Sequence, residues 1–245
     1  MAESTNESGG GSEPVEEFQD AFARISAAVE AGDTDLSELG FWRLLAKVKV
    51  DPALSAHWAD QAGRIDRMAF EARVRTRFPV WLGNLVLLLE ALVGAAAVVV
   101  ALRATNEVLA GLALIVAAVA WSVSLHDPAH WAVGRLVGIR FTCYFLGGPF
   151  PPRPGLKTDY ATYLRTKPGD RALMHASGAI ATKLAPFVAL AFYPASAAPA
   201  WAAWLLLAIG LFQIATDVLF STKTSDWKKV RRERAVARAQ VARTR

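Results

Sequence analysis

Five residues carry the chemistry of this chain: His126-Asp127-Pro128-Ala129-His130. Imidazoles four positions apart on a helix share one face and can reach a single metal ion. Asp127 stands beside the first of them, where a carboxylate can serve a metal-bound water as general base. Two histidines that only hydrogen-bond locally at the end of an apolar helix are the alternative at this level. Pro128 opens a second fork, because it has no N–H to give the Ser124 carbonyl and it pushes Asp127 away from helical geometry. Either the helix kinks and keeps both histidines on one face, or it breaks with Asp127 as N-cap and Pro128 at the first helical position. The second outcome loses the four-residue spacing.

The elements that must position this motif are mostly apolar. Hydrophobic residues make up 53% of the 245, and the mean hydropathy of +0.27 is high for a water-soluble fold. The excess lies after Pro79, in runs over 80–102, 108–125, 172–193 and 200–220, each near the roughly 20 residues that cross a bilayer. The expected fold is all-α: a polytopic membrane protein with about four transmembrane helices and a small helical N-terminal cytoplasmic module. Four regions follow: a disordered 1–13, a soluble helical module over 14–78, a membrane domain over 79–227 that holds the metal site, and a basic tail over 228–245. Within the module, helices are expected over 14–30 and 36–48, the latter with Leu36, Leu39, Trp42 and Leu45 inward. A third starts at Asp51-Pro52 with Leu54, Trp58, Ile65 and Met68 as its apolar stripe, and His57 and Asp60 are read as surface residues. No signal peptide is read at the N-terminus.

Basic residues orient the spans. Arg73, Arg75 and Arg77 precede the first, Arg135 to Arg171 fill the connection between the second and third, and the C-terminal tail is strongly basic, which places both termini in the cytoplasm of a cell-membrane protein. The net charge of +5 therefore points to anionic lipid headgroups. Without a recognised fold or aromatic platform in the tail, no nucleic-acid partner is expected. In this topology His126, His175 and Asp217 fall at similar depth, and ionisable groups clustered at one level of a membrane mark a candidate site. Glu90 and Lys183 are likewise expected to pair inside the bilayer. Cys143 is the single cysteine, so it forms no intrachain disulfide, and no base accompanies it as a nucleophile.

Residues 126–140, His-Asp-Pro-Ala-His followed by a small apolar helix, resemble the metal-binding helix of site-2 proteases, the intramembrane zinc metalloproteases, whose motif is His-Glu-x-x-His. The run 141–148 is similar to the extended segment that follows that helix, and 171–181 stands where the family has a small-residue helix with an Ala-Gly-Pro pattern. The resemblance covers roughly residues 108–227 and implies a zinc ion on His126, His130 and Asp217, with Asp127 as base. It departs from the pattern in Asp127 for Glu, in Gly178-Ala179 for Gly-Pro, in Val218 after Asp217 where the family has Gly, and in the family's Asn, absent unless Thr182 substitutes.

The implied function is an intramembrane zinc metalloprotease that cleaves membrane-embedded peptide substrates whose helix end unwinds. The alternative is a weakly active or inactive homologue that acts as a membrane scaffold or binding partner through its N-terminal module. A transporter ranks below both, since the chain has no internal repeat. The proline-rich connection over 147–155 is either a clamp for an extended substrate or a plain surface loop.

Overall fold

The computed structural model describes residues 13–147, 153–219 and 225–243. Most of the expected disordered N-terminus and the proline-rich tip of the 147–155 connection lie outside them. The first helices are α1 (Glu13–Glu30), α2 (Phe41–Lys49), α3 (Pro52–His57), α4 (Ala59–Arg73), α5 (Val80–Arg103), α6 (Glu107–Ser124) and α7 (His126–Leu136). After them come α8 (Tyr160–Arg165), α9 (Pro168–Leu190), α10 (Ala200–Leu219) and α11 (Asp226–Arg243). Strands β1 (Thr76–Phe78), β2 (Phe141–Gly147) and β3 (Arg153–Thr158) form one antiparallel meander in that order, with Arg77 opposite Phe145 and Phe145 opposite Gly155. The fold class is all-α, with this small sheet as its exception.

The chain divides into two compact units. The first takes the described part of Met1–Arg75 together with Asp159–Arg165, so α8 belongs with α1 to α4 and not with the membrane helices that flank it in sequence. Its core is apolar: Phe22, Phe41, Leu45, Val48, Trp58 and Ile65 are buried, and Leu164 of α8 joins them. Asp51 caps α3 by accepting from the Ala53 and Leu54 amides at 2.8 and 3.2 Å, with Pro52 at the first helical position. The expected second helix begins five residues late. Gly40, left-handed at φ 77°, closes a turn before Phe41; Leu36 and Leu45 are buried as expected, Phe41, Leu44 and Val48 join them, and Trp42 is 42% exposed. Phe22 stacks on Trp58 with ring centroids 4.9 Å apart.

The second unit, Thr76–Thr158 with Thr166–Arg245, contains four helices long and apolar enough to cross a membrane: Val80–Arg103, Glu107–Ser124, Pro168–Ala195 and Ala200–Asp217. Small side chains let them approach closely, as at the buried Ala110, Ala117, Ala118, Ala189 and Ala202. The faces turned away from the bundle carry Val86, Leu88, Leu89, Leu92 and Val93, each more than half exposed, which suits hydrocarbon as solvent. Pro186 sits inside α9 and has no N–H for the Thr182 carbonyl four residues back. Ser122 of α6 reaches that carbonyl through its hydroxyl at 3.5 Å.

Candidate metal centre

The helix break falls at neither place the sequence suggested. Leu125 ends α6 and starts α7, and the Ala129 amide donates to its carbonyl at 3.1 Å. His126 is therefore the first residue of α7, and Pro128 sits in the first turn, where a missing N–H costs nothing. Both histidines share one helix, their rings 4.7 Å apart and nearly perpendicular. At its other end α7 stops at Gly138, left-handed at φ 88°; the Ile139 amide donates back to the Gly134 carbonyl at 2.8 Å, a Schellman closure that launches β2.

Helix α9 fixes both rings. His130 is 8% exposed, and its Nδ1 lies 2.6 Å from the Met174 carbonyl, which can only accept, so Nδ1 carries the proton. Thr182 donates its hydroxyl to the Gly178 carbonyl at 3.1 Å and so accepts from His126 Nδ1 at 2.9 Å. Each tautomer leaves a lone pair on Nε2, the arrangement by which neighbouring groups orient metal-ligating histidines. Gly178 makes the fit: a Cβ there would lie 2.3 Å from His130 Nε2.

Both Nε2 atoms meet one carboxylate oxygen, Oδ2 of Asp226 on α11, at 3.4 Å from His126 and 3.3 Å from His130. Two ligands bound to tetrahedral zinc at about 2.0–2.1 Å stand roughly 3.3 Å apart. Three lone pairs aimed at one point repel one another unless a cation or protons lie between them, so His126, His130 and Asp226 could hold a metal ion. Lys229 donates to the other oxygen, Oδ1, at 3.0 Å. Burial pushes the Asp226 carboxyl up, but in the metal-free site a second proton on His130, donated from Nε2, and the Lys229 charge outweigh it and hold the group well below the usual carboxylate range. Burial, and then the charge of His130, lower His126, which favours its neutral, ligating form. Asp127 is half-buried in the first turn of α7, and burial raises its carboxyl against the opposing pull of His126 and His130.

Asp217, the expected third ligand, is not in this group. Its carboxylate forms an ion pair with Lys183 of α9. That pairing also replaces the expected Glu90–Lys183 pair: Lys183 already has an acid one helix away. His175 faces the edge of His130 with ring centroids 6.4 Å apart, but it is not one of the three grouped side chains.

Asp226 lies beyond the last apolar run, at the margin of the expected basic tail, so neither hydropathy nor motif spacing marks it. Its signal is the start of α11. Ser225 accepts the Lys228 amide on its hydroxyl at 3.4 Å, and Asp226, Lys229, Val230 and Glu233 recur at helical spacing as a stripe facing α9. Arg171 and Glu233, with side chains 1% and 5% exposed, pair at 2.7 Å and dock α11 against α9. Comparison with protein-family models, curated proteins and solved structures finds no match to this chain.

Proposed function

We propose that this protein is an intramembrane zinc metalloprotease of the site-2 type, with His126, His130 and Asp226 as its metal ligands. The observation that carries the reading is the convergence of two Nε2 lone pairs and one carboxylate oxygen, each held by a partner on its far side. Zinc in such a set polarises a carbonyl and lowers the pKa of a bound water to about 7. Asp127, beside that set and raised by burial, accepts the proton of the attacking water and returns it to the leaving amine. Met174 and Thr182 keep both imidazoles in the ligating tautomer, and Lys229 keeps Oδ1 of Asp226 occupied so that Oδ2 faces inward. An unwound segment of a membrane-embedded substrate can add to an edge of the β1–β2–β3 sheet, where β1 is exposed along its length.

Metal analysis of the full chain purified from zinc-replete cells tests the ligand set. One zinc per chain is expected in the parent and in Asp217→Asn, and almost none in Asp226→Ala or His130→Ala. Zinc retained by Asp226→Ala ends this assignment. For the proteolytic half, Asp127→Asn should keep zinc while cutting cleavage of a co-reconstituted membrane-spanning peptide by about 10²-fold or more, and Asp127→Glu should hold or raise it. A parent that binds zinc and cuts no such peptide is instead the scaffold form of the protein.

A further inference from the structure

The exposed side of α11 has a composition that the metal centre does not explain. At about 100° per residue, Asp226 and Glu233, the only acids in the helix, both fall on the arc that faces α9. Arg231 and Arg238 fall on the opposite arc and Arg234 at its edge, all exposed, with alanines 235 and 242 beside them. An exposed side with these arginines and no acid is a one-signed surface, and its level in the molecule can be read from contacts. Helix α11 runs antiparallel to α9. Its start, at Trp227, lines a cavity of about 250 Å³ with Lys183 and Phe187, while Glu233 pairs with Arg171, one turn from the Pro168 end of the third candidate span. Arg234 and Arg238 therefore stand where that span begins, at the headgroup level, and Arg231 stands just below, within reach of it by its long side chain.

We propose that the outer face of α11 binds anionic lipid headgroups, and that this contact holds Asp226 in the metal group. The same rigid helix carries both features: its first residue supplies the carboxylate to His126 and His130, and its next turns carry the arginines. Lipid bound only when α11 is docked stabilises the docked state by mass action and so tightens the metal site. Membrane charge thereby sets metal affinity. The coupling rests on the metal centre proposed above, whereas the lipid contact does not.

Two measurements on the full chain test it. The first counts phosphatidylglycerol retained by the protein in native mass spectrometry, for the parent and for the triple variant Arg231→Gln/Arg234→Gln/Arg238→Gln. The second measures zinc affinity by chelator competition in nanodiscs of phosphatidylcholine alone and with roughly one-third phosphatidylglycerol. With the arginines attracted to an anionic surface only when α11 is docked, the parent should bind zinc about ten-fold or more tightly in the charged discs. The triple variant should lose both that difference and the retained lipid, and it should match the parent in phosphatidylcholine. Equal lipid retention by parent and variant overturns the contact, as does a labelled nucleic-acid duplex that binds the parent and not the variant while lipid retention stays unchanged. Lost retention with an unchanged zinc difference overturns the coupling. Absence of zinc in every disc overturns the metal centre and the coupling together, and leaves the lipid count to decide the contact by itself.

Discussion

Asp217 and Asp226 lie nine residues apart, on either side of the connection between α10 and α11, and they end in opposite electrostatic situations. Asp217 meets the ammonium of Lys183, so one negative charge faces one positive charge and the pair is complete. Asp226 turns Oδ1 to Lys229 but Oδ2 to two imidazole nitrogens whose protons are on the far side of their rings. The first arrangement stabilises a helix pair inside an apolar bundle and has no further valence. The second is matched only when positive charge is added. A carboxylate in a membrane protein is thus a functional candidate less for its depth than for what the opposing groups leave unsatisfied.

The strongest way to break this comparison is to remove one side of the completed pair. Lys183→Met leaves the Asp217 carboxylate among apolar neighbours and should destabilise the protein by about 3 kcal/mol, the low end for a buried pair, since the Asp217 side chain is 31% exposed. The double variant Lys183→Met/Asp217→Asn should recover most of that loss in a denaturation series, and zinc content should be unchanged in both. Additive losses in the double variant would mean that the two groups do not interact.

A smaller effect sharpens the other side. Thr182→Val keeps the volume and deletes the hydroxyl that accepts from His126 Nδ1, so His126 is free to change tautomer and turn. Zinc affinity should fall about 10–100-fold, with thermal stability of the zinc-free protein close to that of the parent. A loss confined to stability would assign Thr182 to packing alone.

The smallest effect belongs to an exposed pair in the first unit. Arg165 donates to Asp60 at 2.5 Å, and that hydrogen bond holds the Asp60 carboxyl below its usual value of 3.8. A depressed acid contributes stability above its unfolded pKa and loses it as pH falls through the folded one. Asp60→Asn should therefore lower stability slightly at neutral pH, and the difference from the parent should vanish as the pH drops from about 3.8 through the lower folded value. A difference that persists at strongly acid pH would show that the substitution acts through something other than charge.

The four apolar runs were legible because length and hydropathy alone define a span, and their observed limits fall within a few residues of those expected. The His126–His130 pair was legible from its spacing. What was hidden depended on partners. Asp217 looked like a ligand because an acid in an apolar run looks unmatched until Lys183 is seen beside it. Asp226 looked like the margin of a tail because its role depends on α11 folding back along α9, a docking fixed by Arg171 and Glu233, 62 residues apart in sequence. Trp42 departs from the expected stripe for a local reason: the left-handed Gly40 starts the helix at Phe41, and its buried face is Phe41, Leu44, Leu45 and Val48, which keeps Leu45 and leaves Trp42 out.

The membership of α8 in the first unit has a consequence for the order in which the molecule is made. Leu164 belongs to the apolar core built by α1 to α4, and Lys49 of α2 lies 4.9 Å from the ring centre of Tyr163. The chain leaves the ribosome at about 5–20 residues per second, so these contacts form only after α5 and α6 have been synthesised. The N-terminal unit is then completed only by a segment that arrives between the second and third spans. Dividing the chain after Arg75 would separate that core from Leu164 and leave α8 on the second piece without its partners.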